Sequence, residues 1–551
     1  MATPPTADIP RPIDEVSRLT EMSRVAQADL PAGVVLAQRA KADGLAHPLV
    51  HHLVALGLKE EGRFQEALTE LGLGLHLNPN DPALMTTVGF CLLELDRRQE
   101  AAQVFEVAVR LDPTSAEASY GYGWTAENLG ALEAAESGFK RALQLNPNHA
   151  DALAGLSGLE VRRRDWEAAR LHAERAMALD RRQTDAPMNL ARIEIGVSNF
   201  EAAERRLREI ITIPHLKPQA RAGARVTLGD ALDGAGRYRE AFDAYAAGKA
   251  ELRELYVATF EREGVLTAPQ GARAILDEFL GTPSGAWSAP PDRPVRGEER
   301  GHAFLFGFPR SGTTLLEQVL DTHPDVVSLG ERPILLDAEM EFLTRTGGIE
   351  RLSQVVGDLL EPFRTSYWKR VREFGIQPSG KVFVDKHPLH TVRLPLINKI
   401  FPNAKMIFVT RDPRDVVFSC FRRIFNMNAS TFQFNTILDA ADYYDAVMRA
   451  GTTYIDRLPI DVHRIRYEDL VADFAATSRR LCDFLSVPWT ADLENFAETA
   501  RAKGIVTPSS TQVGRGLYDE GVDQWRRYDF ALAPALPLLQ PWIEAFGYAA
   551  A

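Results

Sequence analysis

The sequence predicts a multidomain protein in which an all-α solenoid of helical repeats is followed by an α/β domain of the phosphate-loop kind with a mostly parallel sheet. Three observations predict it. Proline returns every 34 residues in "LNPND", "LDPTS" and "LNPNH", at Pro79, Pro113 and Pro147. A stretch rich in Pro, Gly and Ser runs from about Gly281 to Arg300. Beyond it, two short apolar runs each lead into an arginine-bearing turn and then a helix, at Arg310 and at Arg411. A chain of 551 residues is also too long for one hydrophobic core.

Residues 1–47 read as an N-terminal segment with one degenerate repeat, and residues 48–280 as the array itself. Ala67, Ala101, Ala135, Ala169 and Ala203 recur in phase, 34 residues apart. Gly89 and Gly123 precede their alanines by twelve positions, and Phe105 and Phe139 follow by four. Each position has a packing reason. The small residues sit where two antiparallel helices cross closely, the aromatic fills the groove beside them, and proline stops the second helix. "TLGDALDGAGRYREAFDAYAAGKAEL" continues the series through Gly229, Ala241 and Tyr245 after four extra residues around "IPHLKPQ". Six units result. The pattern resembles the tetratricopeptide repeat over roughly residues 48–252, which implies a concave surface suited to an extended peptide or a partner helix. A spacer that serves only oligomerisation, with a homodimer as one outcome, is the plain alternative.

Residues 281–300, "GTPSGAWSAPPDRPVRGEER", read as a linker, and residues 301–551 as the second domain. There, "HAFLFGF" reads as a buried strand, "PRSG" as a turn and "TTLLEQVLDTH" as an amphipathic helix. Strand, turn and helix N-terminus make an anion cradle, with the backbone N–H groups of Ser311, Gly312, Thr313 and Thr314 facing the anion and the helix dipole reinforcing them. A nucleoside-triphosphate loop needs lysine where Thr313 stands, and here the cation has moved to Arg310. The arrangement resembles the 5′-phosphosulfate loop of sulfotransferases, which use 3′-phosphoadenosine 5′-phosphosulfate.

"AKMIFVTRDPRDVVFSCFRR" reads as a second strand ending at Arg411, a turn through Pro413 and a helix carrying Ser419. In the sulfotransferase family an arginine at such a strand end and a serine eight residues later hold the 3′-phosphate, and Arg411 and Ser419 match both. A guanidinium supplies a fork of donors to phosphate and a hydroxyl closes the other side. A structural ion pair of Arg411 with Asp412 or Asp415 is the competing reading. Two anion sites on neighbouring strand ends suit a bisphosphorylated nucleotide across a sheet edge.

Further resemblance is to the protein-tyrosine sulfotransferases, so that the whole chain looks like a bacterial-type fusion of tetratricopeptide repeats with a sulfotransferase. "LDTHPDVVSLGE" places Glu331 where that branch has its proposed base, and "VDKHPLH" places Lys386 where it has an active-site lysine. "PSSTQVGRGLYDEGVDQW" resembles its closing loop, with Ser509 or Ser510 and Arg515 reaching the cofactor. Gln524 departs from the lysine that the tyrosine-sulfating branch carries before Trp525, which leaves tyrosine as acceptor in question. His323 and His387 are rival bases, because small-molecule sulfotransferases use histidine. Residues 332–380, with "YWKRVREFG", are expected to build the acceptor cleft.

The resemblance implies sulfuryl transfer to a hydroxyl, most simply on a protein presented by the repeats. A glycan, a lipid or a metabolite as acceptor is the second reading, and an inactive nucleotide-binding adaptor the third. Composition narrows the partners. Net charge is −12, and residues 301–551 hold 28 Lys+Arg against 31 Asp+Glu, which leaves 63 − 28 = 35 against 75 − 31 = 44 before residue 301. No basic stripe suggests nucleic acid. Three scattered cysteines, Cys91, Cys420 and Cys482, support neither a disulfide framework nor a zinc site, and no metal-ligand set is evident. "MATPPTADIPRPIDEV" lacks a basic start followed by an apolar run, and no 18-residue apolar window occurs. A cytoplasmic protein without a membrane anchor is expected.

Overall fold

The computed structural model describes residues 15–214, 216–288, 299–498 and 521–549. Residues 289–298 of the expected linker, and Ser509, Ser510 and Arg515, lie outside the described residues. The chain forms two compact units, one of Met1–Val161 with Asp165–Asn189, the other of Arg162–Arg164 with Leu190–Ala551. Among the described residues no helix is long and apolar enough to cross a membrane.

The repeat register is a run of antiparallel helix pairs, beginning with Pro48–Glu60 and Phe64–Leu77 and ending with Pro218–Gly234 and Tyr238–Phe260. A further pair, Glu15–Ala28 and Leu30–Ala42, precedes it where the degenerate unit was expected. Asp81 caps Pro82–Glu94 by accepting from the N–H groups of Ala83 and Leu84, and a proline opens that helix. The repeated alanines are fully buried, as are Phe105 and Phe139. A β-carbon on Gly89 would stand 2.6 Å from the Phe105 ring, and one on Gly123 would stand 2.9 Å from that of Phe139. Only glycine admits the close helix crossing there.

The α/β domain is built on a five-stranded sheet of order β2-β3-β1-β4-β5. Its strands are β1 (Gly301–Phe306), β2 (Val326–Leu329), β3 (Val382–Lys386), β4 (Lys405–Thr410) and β5 (Asp461–Arg466), and every neighbouring pair is parallel. Parallel pairing requires a crossover at each connection, and here helices cover both faces. Alternation along β1 sorts the layers. Ala303 and Leu305 join Leu316, Val319, Val384, Ile407 and Ile465 on one face, whereas Phe304 packs on Phe401 and Phe306 on Phe408. β1 lies between β3 and β4, so the chain winds to one side of it and then to the other. The carboxyl edge at such a reversal is where open α/β sheets bind ligands.

Candidate functional site

The loop after β1 is shaped by two residues in left-handed backbone, Arg310 at φ 72° and Gly312 at φ 104°. Gly312 stands at the N-cap of the helix Thr313–Leu320. A side chain there would also strike Tyr467, with a built β-carbon 2.7 Å from the ring. The turn differs from expectation in one donor. The Ser311 N–H bends back to the carbonyl of Phe308 at 3.1 Å, so the outward N–H groups are those of Gly312, Thr313 and Thr314, which have no partner within their own helix. The side chain of Arg310 turns under the loop and donates from Nε to Ser419 Oγ at 2.9 Å. Arg310, Ser311, Thr313, Thr314 and Ser419 are all buried.

β4 runs beside β1, with Phe306 opposite Phe408, and it delivers Arg411 to the same edge. The Arg411 guanidinium donates to the carbonyl of Arg310 at 3.1 Å and to that of Gly521, and lies over the Tyr467 ring, 4.9 Å from its centroid. Its Nε is buried without a hydrogen-bond partner among the described residues. The guanidinium does pair with Asp415, at the outer distance for an ion pair and through Nη2 rather than Nε. Asp412 is held by Arg414 at 2.9 and 2.7 Å. Asp415 stands 4.0 Å away and accepts from the N–H groups of Asp523 and Trp525 at 2.9 and 2.8 Å. Burial raises Asp415 to about 6, against the lowering pull of Arg411. Arg411 and Asp415 thus both grip the chain at Gly521–Trp525. The residue between, Gln524, sits at the start of the short helix Gln524–Tyr528.

The third group follows from register. Leu305 of β1 faces Lys386 of β3, and Leu329 of β2 faces Asp385, so Glu331, two residues past β2, arrives beside Lys386. Lys386 Nζ lies 2.9 Å from Glu331 Oε1 and 3.0 Å from Glu317 Oε2. The lysine side chain is fully buried, and that of Glu331 is 39% exposed. Burial alone would strip Lys386 of its proton, but the two carboxylates outweigh it and raise the lysine. Burial likewise raises Glu317. Glu331 is therefore bound to Lys386, while the neighbouring Arg332 lies over the Phe374 ring.

Both histidines take other duties. His323 accepts from the Asp325 N–H at Nδ1, 3.0 Å, and reaches the Pro488 carbonyl from Nε2 at 2.7 Å. His387 caps the short helix Pro388–Arg393 by accepting from the Leu389 N–H at Nδ1, 3.1 Å. That bond leaves the proton on Nε2, a donor rather than a base, and burial holds the ring well below its usual range. Sequence reasoning missed Glu317. Its signal was one acid inside the apolar run "TTLLEQVL", a charge that a buried helix keeps only with a partner. Tyr367 and Trp368, expected in the acceptor cleft, are instead core residues packed on Phe401 and Phe383.

The carboxyl edge of the parallel sheet gathers two buried arginines and a lysine between carboxylates. Residues 303–491 match the sulfotransferase family and residues 116–149 the tetratricopeptide repeat, so the chain joins N-terminal tetratricopeptide repeats to a sulfotransferase-family domain. An uncharacterized protein of Aquifex aeolicus (strain VF5) is 27% identical over 343 residues, 61% of this chain and 43% of that protein. Protein-tyrosine sulfotransferase 1 of Danio rerio is 26% identical over 256 residues, 44% of this chain and 71% of that protein. Its Homo sapiens namesake is 26% identical over 216 residues, 38% and 57%. Among solved structures, the pilus biogenesis factor PilW aligns at 16% identity and TM-score 0.31 over 39% of this chain and 95% of that one. The Cut9–Hcn1 assembly aligns at 16% and 0.35 over 44% and 48%.

Proposed function

We propose that this protein is a sulfotransferase that moves a sulfuryl group from 3′-phosphoadenosine 5′-phosphosulfate to a hydroxyl of an acceptor, most simply a protein presented by the repeats. The observation that carries the reading is the buried Nε of Arg411, without a partner among the described residues, beside the Arg310–Ser419 contact at a sheet edge. A buried guanidinium donor without a partner among the described residues, at the carboxyl edge of a parallel sheet and beside the β1 loop, suits an anion there. The N–H groups of Gly312, Thr313 and Thr314, with Arg310, suit the 5′-phosphosulfate, and Arg411 with Ser419 suits the 3′-phosphate. The bound nucleotide supplies the sulfuryl group. Glu331 takes the acceptor proton from the exposed side of the site, and Lys386, held charged by its two carboxylates, balances negative charge on the leaving oxygen together with Arg310.

The acceptor class rests on the repeats and on the Danio rerio and Homo sapiens relatives, which are named for protein tyrosine. The half-buried rings of Phe90, Tyr120 and Trp124 adjoin one another at centroid distances of 6.2 and 6.5 Å. Tyr120 is raised by burial and, beyond that, by the field of Asp151, Asp185, Glu117 and Glu127. Rings among carboxylates favour a basic, extended segment.

Titration calorimetry tests the core of the proposal. 3′-Phosphoadenosine 5′-phosphate is expected to bind without Mg²⁺ and ATP to bind far more weakly. Arg411→Ala should weaken the nucleotide by about 1.5–3 kcal/mol, the range for a hydrogen bond to a charged group. Strict dependence on Mg²⁺, or unchanged affinity in that variant, would overturn the assignment.

A further inference from the structure

The sixth helix pair of the repeat register carries, at positions equivalent to Phe90 and Trp124, the residue Asp230, one past Gly229 as those rings follow Gly89 and Gly123. One turn on, at the position of Leu93 and Glu127, stands Asp233. In this pair the two positions are occupied by the chain's own α/β domain. Arg423 Nη1 lies 3.1 Å from Asp230 Oδ2, and Arg422 lies 3.6 Å from Asp230 and 3.5 Å from Asp233. Tyr528 donates its hydroxyl to Asp233 at 2.6 Å, and Tyr245 donates to Asp230 at 2.8 Å.

Arg422 and Arg423 are the two residues that follow the helix Pro413–Phe421, which carries Ser419, Tyr528 ends the short helix Gln524–Tyr528, and Tyr245 belongs to the repeat's own second helix. The Tyr528 ring stacks on Phe418 with centroids 4.0 Å apart, next to Ser419 in the chain. Lys249, buried on Tyr238–Phe260, donates to the Arg423 carbonyl at 2.6 Å, where that helix ends. From the same helix Cys420 reaches the Pro309 carbonyl in the β1 loop at 3.4 Å. An unbroken line of packed groups therefore runs from Asp233 through Tyr528 and Phe418 to Ser419, and from Ser419 to Arg310. Both aspartates and Arg422 are largely shielded from water, so their pairing resists salt and fixes geometry better than a surface pair does.

We infer that Asp230 and Asp233 are positioning residues for the nucleotide site: the last repeat grips the helix bearing Ser419 and sets its distance from Arg310 and Arg411. The inference rests on the reading of Arg411 and Ser419 as the 3′-phosphate site. It makes part of the repeat array a component of the cofactor pocket, with the sheet edge and the sixth repeat acting as one device.

The test compares full-length wild type with Asp230→Asn/Asp233→Asn, and with the milder Arg423→Gln in case the double variant fails to fold. Affinities for 3′-phosphoadenosine 5′-phosphate and for adenosine 5′-phosphate are measured side by side, with hydrogen exchange at residues 413–421. The preference for the 3′-phosphorylated nucleotide should fall about tenfold or more in the double variant and severalfold in Arg423→Gln, the affinity for adenosine 5′-phosphate should hold, and amides of 413–421 should exchange faster. Asp230→Glu should restore most of the preference. Parallel loss of both nucleotides, or an unchanged ratio with unchanged exchange, overturns the inference. If wild type itself shows no preference for the 3′-phosphate, the sulfotransferase reading fails, while the exchange data still decide whether the aspartates hold the helix.

Discussion

Lys386 has no access to water and survives as a charge only because Glu317 and Glu331 close on it within 3.0 Å. Removing one partner of such a group leaves the others desolvated and mispaired. Glu331 is the partner that reaches solvent, so its exchange for glutamine is the informative one. Glu331→Gln is expected to keep nucleotide affinity and to lower turnover by at least about 10²-fold, as losing a general base does. His387→Ala should leave the chemistry standing, since Nδ1 is engaged in a helix cap. Steady-state kinetics with calorimetry on both variants check this, and the roles exchange if the histidine variant alone is inactive. At this scale the sequence was readable where an unusual residue sits at a strand end. Arg310, Arg411, Lys386 and Glu331 all stand on or just past such ends, and parallel register brings them to one edge. Glu317 was not readable as a site group, and Asp415 only as a neighbour of Arg411, because their remaining contacts are with partners far along the chain.

Helices were legible by their periods, and their neighbours were not. The 34-residue spacing marks Tyr238–Phe260 as the second helix of a repeat, yet nothing local shows that it continues to 23 residues or that its face meets Phe421, Phe432 and Phe530. Lys249 records that burial. Desolvation lowers it to about 7. An unfolded lysine titrates near ~10.4. Below about pH 7 both states hold the proton and the cost of the buried charge is complete. Between there and ~10.4 the unfolded chain binds more protons than the folded one, so this residue makes stability rise with pH, by at most about 1.4 kcal/mol per unit. Denaturant midpoints across pH 6–10 should therefore climb more steeply in wild type than in Lys249→Met. Equal slopes would mean that Lys249 reaches water.

For the whole molecule, the open question is what the first repeats do that the second compact unit does not. Apart from Arg162–Arg164, that unit runs from Leu190 to Ala551, and it includes helices bonded to the α/β domain through Arg253 to Asp439 at 2.9 Å and Arg273 to Asp442 at 3.2 Å. A chain cut at Gly301 loses those helices, and Asp230 and Asp233 with them, so its preference for the 3′-phosphorylated nucleotide should fall whatever the repeats recognise. A chain cut at Asp185 keeps them and removes the ring-and-carboxylate surface around Tyr120. If that surface selects the acceptor, it holds a bound protein near the active site at high effective concentration, an advantage worth orders of magnitude in apparent affinity without any new contact at the reacting hydroxyl. The acceptor is identified first, by ³⁵S transfer from labelled nucleotide into lysate of a strain lacking the protein. Full-length and Asp185-start chains are then compared on that acceptor and on a short fragment bearing only the modified site. Truncation should raise KM for the whole acceptor by about 10-fold or more, with kcat and the fragment's kinetics barely changed. Equal kinetics on both substrates would strip the first repeats of acceptor selection.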